Sequence, residues 1–226
     1  MIAEALSALR KGEMVLLYDF DNRERETDLA IRSDVVTHRD ICRMRHDGGG
    51  LICTAIPFAS AKILGLPFAR DILKNCAMVE KIGDIPYDPA NNSSFSIWVN
   101  HRDTFTGITD KDRTLTVTAI SQAVKDTIDG KNVVFKDQFR TPGHMPILIA
   151  AEHLLDQRHG QTELSVAMSE MAGINPAITI CEMLDDESGL ALSKEDAIRY
   201  ARKHGLVFVE GSEVLEAWEK QATTGR

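Results

Sequence analysis

The chain has 226 residues, 43% of them hydrophobic and 27% charged, the balance of a globular protein and not of a disordered or fibrous one. Its 26 basic and 34 acidic side chains leave a formal charge of −8, so no overall basic field exists to hold nucleic acid. The longest apolar run, Met145 to Ala151 with Pro146 inside it, is far too short for a membrane span, and residues 1–4 show no basic region leading an apolar stretch, so no secretory signal is expected.

Ile2, Leu6 and Leu9 recur at helical spacing before Gly12, which predicts a helix over residues 2–11. Met14 to Tyr18 has strand length, a carboxylate-rich segment follows, and Leu29-Ala30-Ile31 reads as a return strand. Thr37 with Asp40 three residues on marks a helix start, and that helix is expected to stop at Gly48-Gly49-Gly50. Leu51 to Ile56 reads as a buried strand, and Phe95, Ile97 and Val99 alternate with polar positions as a half-buried one. The stretch from Asp84 to Ser94, with two prolines and two asparagines, is the most loop-like. A helix is predicted from near Asp112 to Ile128, an apolar helical stretch after Gly143-His144, and another helix after Arg158–Glu163. Ala177 to Leu184 reads as a strand, Ser193 to Asp196 opens a helix, and Leu206 to Val209 gives a last strand. No internal repeat or linker divides the chain, so one α/β domain over residues 1–226 is expected. The cysteines at 42, 53, 76 and 181 fit no C-x-x-C spacing and read as reduced thiols of a cytoplasmic protein.

The densest polar cluster is Asp19 to Asp28. If it is extended, Glu24, Glu26 and Asp28 share a face, where three carboxylates repel and a divalent cation relieves the repulsion. The run Met14 to Asp21 also imitates the Asp-x-Asp strand of haloacid-dehalogenase-type phosphatases, but Arg23 stands where that motif wants a small residue. Arg158-His159-Gly160-Gln161-Thr162-Glu163 joins a guanidinium, a glycine and a hydroxyl ahead of a helix, a plausible phosphate cradle. Cys181-Glu182 ends an apolar strand with a carboxylate where a general base could sit.

Taken in order, these segments resemble the 3,4-dihydroxy-2-butanone 4-phosphate synthase family. The anchors are Arg23 to Asp28, the glycine turn ending at Cys53, Ser94-Phe95-Ser96, Thr106-Gly107-Ile108-Thr109 with Asp112-Arg113, Pro142-Gly143-His144, Thr162-Glu163 and Cys181-Glu182. The resemblance implies an α+β-like single domain with a mixed sheet flanked by helices, and a cytoplasmic homodimer with sites near the subunit interface. It implies Mg²⁺ (or Mn²⁺) and no organic cofactor, with ribulose 5-phosphate as substrate and neither nucleic acid nor membrane as partner. Glu24 and Gln161 fall at its metal positions. Arg23, Glu24, Asp28, Arg158, His159, Gly160, Gln161, Thr162 and Glu182 fall at or beside its substrate positions, and His144, Glu182, Asp28, Glu26 and Cys53 are the candidate catalytic residues.

Two positions depart from the pattern. The family has Gly-His-Thr where this chain has Gly160-Gln161-Thr162, so a glutamine stands at a metal-ligand histidine, with His159 two residues earlier as a candidate substitute. Arg25 replaces a small residue, and its bulk is expected to narrow the site. A catalytically impaired sugar-phosphate-binding relative is therefore the first alternative, and a phosphatase using Asp19 the second.

Overall fold

The computed structural model describes residues 1–76 and 93–224, so the predicted loop from Asp84 falls outside them up to Ser93. Among the described residues, strands β1 (Val15–Tyr18), β2 (Thr27–Arg32), β3 (Cys53–Ile56), β4 (Phe95–His101), β5 (Phe139–Ile149), β6 (Ile178–Glu182) and β7 (Val207–Glu210) form one sheet. Their order is β4-β5-β3-β6-β2-β1-β7. β1 and β7 pair in parallel, as do β3 and β5, and the remaining neighbours are antiparallel. The helices are α1 (Ile2–Lys11), α2 (His38–Arg43), α3 (Phe58–Leu64), α4 (Ala69–Lys74), α5 (Asp110–Ile128), α6 (Phe135–Gln138), α7 (Gln161–Ala172), α8 (Lys194–His204) and α9 (Gly211–Thr224).

Strand side chains alternate between the faces. Val15, Leu17, Ala30, Ile178, Ile180 and Val209 pack against α1, α7 and α9. Leu16, Tyr18, Leu29, Ile31 and Phe208 pack against α2 and α8, and Val99, Ile147 and Ile149 against α3 and α5. α7 is buried on nearly every side because α1 and α9 lie over it, so it carries no amphipathic stripe. Local signals fix several helix ends. Thr37 and Asp40 form the expected capping box, and Ser193 accepts the Asp196 N–H at 3.2 Å.

One expectation fails here. Met145 to Ile149 is not helical but is the second half of β5. Pro146 sits opposite Trp98 where the β4–β5 pairing shifts register, a place where a sheet tolerates a residue without an N–H.

Candidate active site

The sheet brings the C-terminal ends of β1 and β6 beside the N-terminal ends of β2 and β3, and α7 starts above them. A cavity of about 240 Å³ lies at this junction.

One wall is the segment between β1 and β2. Its shape is set by Asp19, which is buried: the carboxylate accepts the Glu24 and Glu26 backbone N–H groups, each at 3.0 Å, and the Arg23 guanidinium at 3.1 Å. Arg23 also pairs with Glu24 at 2.6 Å. The segment is not extended as the alternation argument supposed. Arg25 adopts a left-handed φ of 61°, and its side chain turns back to donate to the Asp21 carbonyl at 2.6 Å. Glu24, Glu26 and Asp28 line the cavity together all the same, because Asp19 gathers the backbone on either side of the turn. Arg25 does not line the cavity, so the expected narrowing does not occur. With both carboxylate oxygens held by the segment's own N–H groups, Asp19 is an organiser of the wall and not a phosphatase nucleophile.

The floor is a carboxylate pair. Asp28 is the second residue of β2 and stands in register with Glu182, which closes β6. Asp28 is 1% exposed and its Oδ1 has no hydrogen-bond partner. Burial first, then the charges of Glu182 and Glu26, push its pKa well above the usual carboxylate range. Glu26 shifts the same way, through burial and the charges of Glu24 and Glu182. Glu182 is fixed by accepting the Leu51 N–H at 2.8 Å, and a Cβ on Gly50 would lie 2.5 Å from its Oε2. The glycine turn thus serves close approach to Glu182. Cys53 is buried in the sheet and does not line the cavity. Burial and the charges of Glu182 and Asp28 hold its thiol well above the ordinary range, so it is no ready nucleophile.

The remaining wall is the start of α7. Gly160 is the N-cap and no side chain caps the helix. The first backbone bond of the helix runs from the Leu164 N–H to the Gly160 carbonyl at 2.9 Å, which leaves the Gln161 and Thr162 N–H groups ahead of it. Arg158 lines the cavity beside them and is ion-paired with Glu163. Glu163 is fully buried and its other oxygen accepts the Ala151 N–H at 2.9 Å. A guanidinium next to uncapped helical N–H groups is a seat for a dianionic phosphate. A side chain at Gly160 would collide with Arg158.

Gln161 is 7% exposed and its amide nitrogen donates to the Leu17 and Glu26 carbonyls, each at 3.0 Å. Its Oε1 is buried without a partner. His159 is turned elsewhere, bonded to the Leu155 carbonyl at 2.9 Å and packed on Phe20, and it does not line the cavity. Two orphaned acceptors among carboxylates suit a cation. Among the described residues no three His, Cys, Asp or Glu side chains already form a cage, so a cation here takes few protein donors and fills its shell with water and substrate oxygens, as Mg²⁺ does.

His144 is also absent from the cavity. It is exposed on β5, its N–H donating to Asn100 Oδ1 at 2.8 Å and its ring meeting the Asn100 amide at 3.1 Å. Sequence reasoning named Asp19 and Glu163 without their supporting roles, as loop organiser and as anchor of Arg158, and passed over Asn100, the support of His144. Only Glu163 carried a signal, because the third residue after an N-cap is where a glutamate turns back on a helix start.

A mixed sheet that gathers carboxylates beside a guanidinium and an uncapped helix start has the make-up of an enzyme for a small anionic substrate. Residues 3–217 match the family model described as 3,4-dihydroxy-2-butanone 4-phosphate synthase. The 3,4-dihydroxy-2-butanone 4-phosphate synthase of Methanosarcina acetivorans is 52% identical over 96% of this chain and 90% of the relative, and that of Archaeoglobus fulgidus is 51% identical over 96% and 93%. A crystal structure of a 3,4-dihydroxy-2-butanone 4-phosphate synthase in complex with two magnesium ions superposes with a TM-score of 0.80 at 25% identity, covering 98% of this chain and 97% of the other. The Candida albicans enzyme superposes at 0.75 with 29% identity, covering 96% of each chain. The chain belongs to the 3,4-dihydroxy-2-butanone 4-phosphate synthase family.

Proposed function

We propose that the protein converts D-ribulose 5-phosphate to L-3,4-dihydroxy-2-butanone 4-phosphate and formate, supplying riboflavin biosynthesis in the cytoplasm. The observation that carries this is one cavity holding Glu26, Asp28 and Glu182 next to Arg158 and the uncapped start of α7. Arg158 and the N–H groups of Gln161 and Thr162 seat the phosphate, and Arg23 closes the acidic wall over the sugar. Glu24 and the Gln161 carbonyl are the donors for Mg²⁺ or Mn²⁺; the magnesium ions held by a solved relative support this. When bound, the cation polarises the substrate carbonyl and makes the neighbouring C–H acidic.

The acid–base work falls to the carboxylates. One of Glu26 and Glu182 takes the C3 proton to give the enediol. Asp28, whose burial and acidic neighbours favour its protonated form, is suited to deliver a proton to the departing C1 hydroxyl. The resulting diketone rearranges by migration of C5 from C4 to C3; the C4 aldehyde so formed adds a water, replacing the one lost from C1, and the C3–C4 bond then breaks to release C4 as formate. The atoms balance without an external oxidant or reductant, so no organic cofactor is required.

The reading includes a homodimer. His144 lies outside its own chain's cavity, on a surface that also carries Trp98, Phe105 and Ile108, and a second copy seated there would present His144 to its neighbour's site. Carbon-13 NMR of labelled ribulose 5-phosphate tests the activity: formate and the four-carbon phosphate should appear with Mg²⁺ and not in EDTA. Substrate that binds and stays unchanged under every metal would instead identify a silent relative.

A further inference from the structure

The Gln161 amide bridges two elements. Both of its bonds go to backbone carbonyls, Leu17 in β1 and Glu26 at the end of the acidic wall. Flipping the amide would set its oxygen against both carbonyls, so the orientation is fixed. Oε1 is thereby committed to the opposite direction, buried and accepting no hydrogen bond, in a residue that lines the cavity with Glu24, Glu26, Asp28 and Glu182. Those carboxylates are acceptors once ionised. An orphaned carbonyl oxygen among them is satisfied by a cation or by a ligand that carries hydrogen.

We propose that Gln161 Oε1 is a pre-oriented ligand of the divalent cation, and that it makes the site an all-oxygen one that favours hard ions such as Mg²⁺ and Mn²⁺ over Zn²⁺ and Ni²⁺. Borderline ions gain most from imidazole nitrogen, whereas carbonyl and carboxylate oxygens suit Mg²⁺ and Mn²⁺. His159 is held by the Leu155 carbonyl and Phe20 and His144 by Asn100, and neither lines its own chain's cavity; the His144 that a second copy would present is taken as an acid–base group and not as a ligand. The inference rests on the synthase reading in taking Glu24 and Gln161 as donors, and deepens it by assigning the ion preference to one amide.

The test reads the metal directly. Mn²⁺ is titrated into metal-free protein and the bound ion examined by electron spin-echo envelope modulation. The unaltered protein should bind Mn²⁺ without imidazole nitrogen modulation, and Gln161→His should show it. In competition, Gln161→His should tighten Zn²⁺ relative to Mn²⁺ by about tenfold or more, and Gln161→Leu should weaken Mn²⁺ by about tenfold. Imidazole modulation in the unaltered protein, no Mn²⁺ binding, or unchanged Mn²⁺ affinity in a folded Gln161→Leu would each overturn the proposal. Gln161→Leu leaves two backbone carbonyls unpaired, and should it not fold, the spectrum of the unaltered protein decides. Formate production reports separately on the synthase reading. A protein that makes formate around an imidazole-bound ion refutes only the ligand assignment, and one that binds Mn²⁺ through oxygen without making formate refutes only the activity.

Discussion

Asp28 is a carboxylate whose ionisation the fold opposes. It is enclosed by the sheet, faces Glu182 across the β2–β6 pair and has one oxygen without a partner. Its pKa in the folded state lies well above the unfolded value of 3.8, so folding favours the protonated form. That contribution to stability is complete below the unfolded value and is lost as pH rises toward the folded one. In the metal-free protein, Asp28→Asn should therefore raise Tm at about pH 7, by a margin that shrinks toward about pH 4. The same variant should lose about a hundredfold or more in formate production, because an amide cannot deliver the proton. An equal Tm difference at both pH values would show that Asp28 ionises without penalty. Glu163 offers a second test at this scale. Glu163→Gln keeps an acceptor for the Ala151 N–H but removes the charge that holds Arg158. The KM for ribulose 5-phosphate should rise about tenfold with a smaller change in kcat, as expected for a charge-assisted contact that positions the phosphate ligand.

The acidic wall and the elements around it stand or fall as units. Asp19 joins both sides of the β1–β2 turn through the Glu24 and Glu26 N–H groups. Asp19→Asn turns one acceptor into a donor facing a donor, which should cost about 1–3 kcal/mol in a urea melt and lower formate production. Release of inorganic phosphate that disappeared with this variant would reinstate the phosphatase alternative. Elements announced by local chemistry were legible in the sequence: α1 ends at Gly12, α2 starts at the Thr37–Asp40 box, and α8 starts at Ser193. α7 was announced by its start at Arg158–Glu163, although two helices cover it and leave it no apolar stripe. The second half of β5 was not legible, because it is an apolar run that only its pairing with β3 and β4 makes a strand. The site divides in the same way. The chemistry of Glu24, Glu26 and Asp28 was readable as residue types, but their meeting depends on the Arg25 turn and not on alternation. The Asp28–Glu182 pair exists only through strand register, and the separate placement of His144 through the position of β5 at the far side of β3.

At the scale of the molecule, the surface around His144 is built as carefully as the cavity. Asp112 accepts the N–H groups of Phe105, Thr106 and Gly107 at 3.2, 3.1 and 2.9 Å, which shapes a loop leaving Phe105 92% exposed. Gly107 sits at φ 89°, and a side chain there would strike Asn100, the residue that holds His144. A loop fixed this firmly displays an aromatic ring and Ile108 to water, the kind of apolar surface that the proposed homodimer would cover. If a second copy covers it and receives His144 into its cavity, each active site needs residues from two chains. His144→Ala and Asp28→Asn should then each be inactive alone, yet co-expressed they should recover activity. Random pairing puts half the molecules in mixed dimers with one intact site each, so recovery should reach about a quarter of the unaltered activity. Tagging the two variants differently and isolating the mixed dimer should raise that to about half. No recovery in an isolated mixed dimer would mean that His144 does not act across the interface.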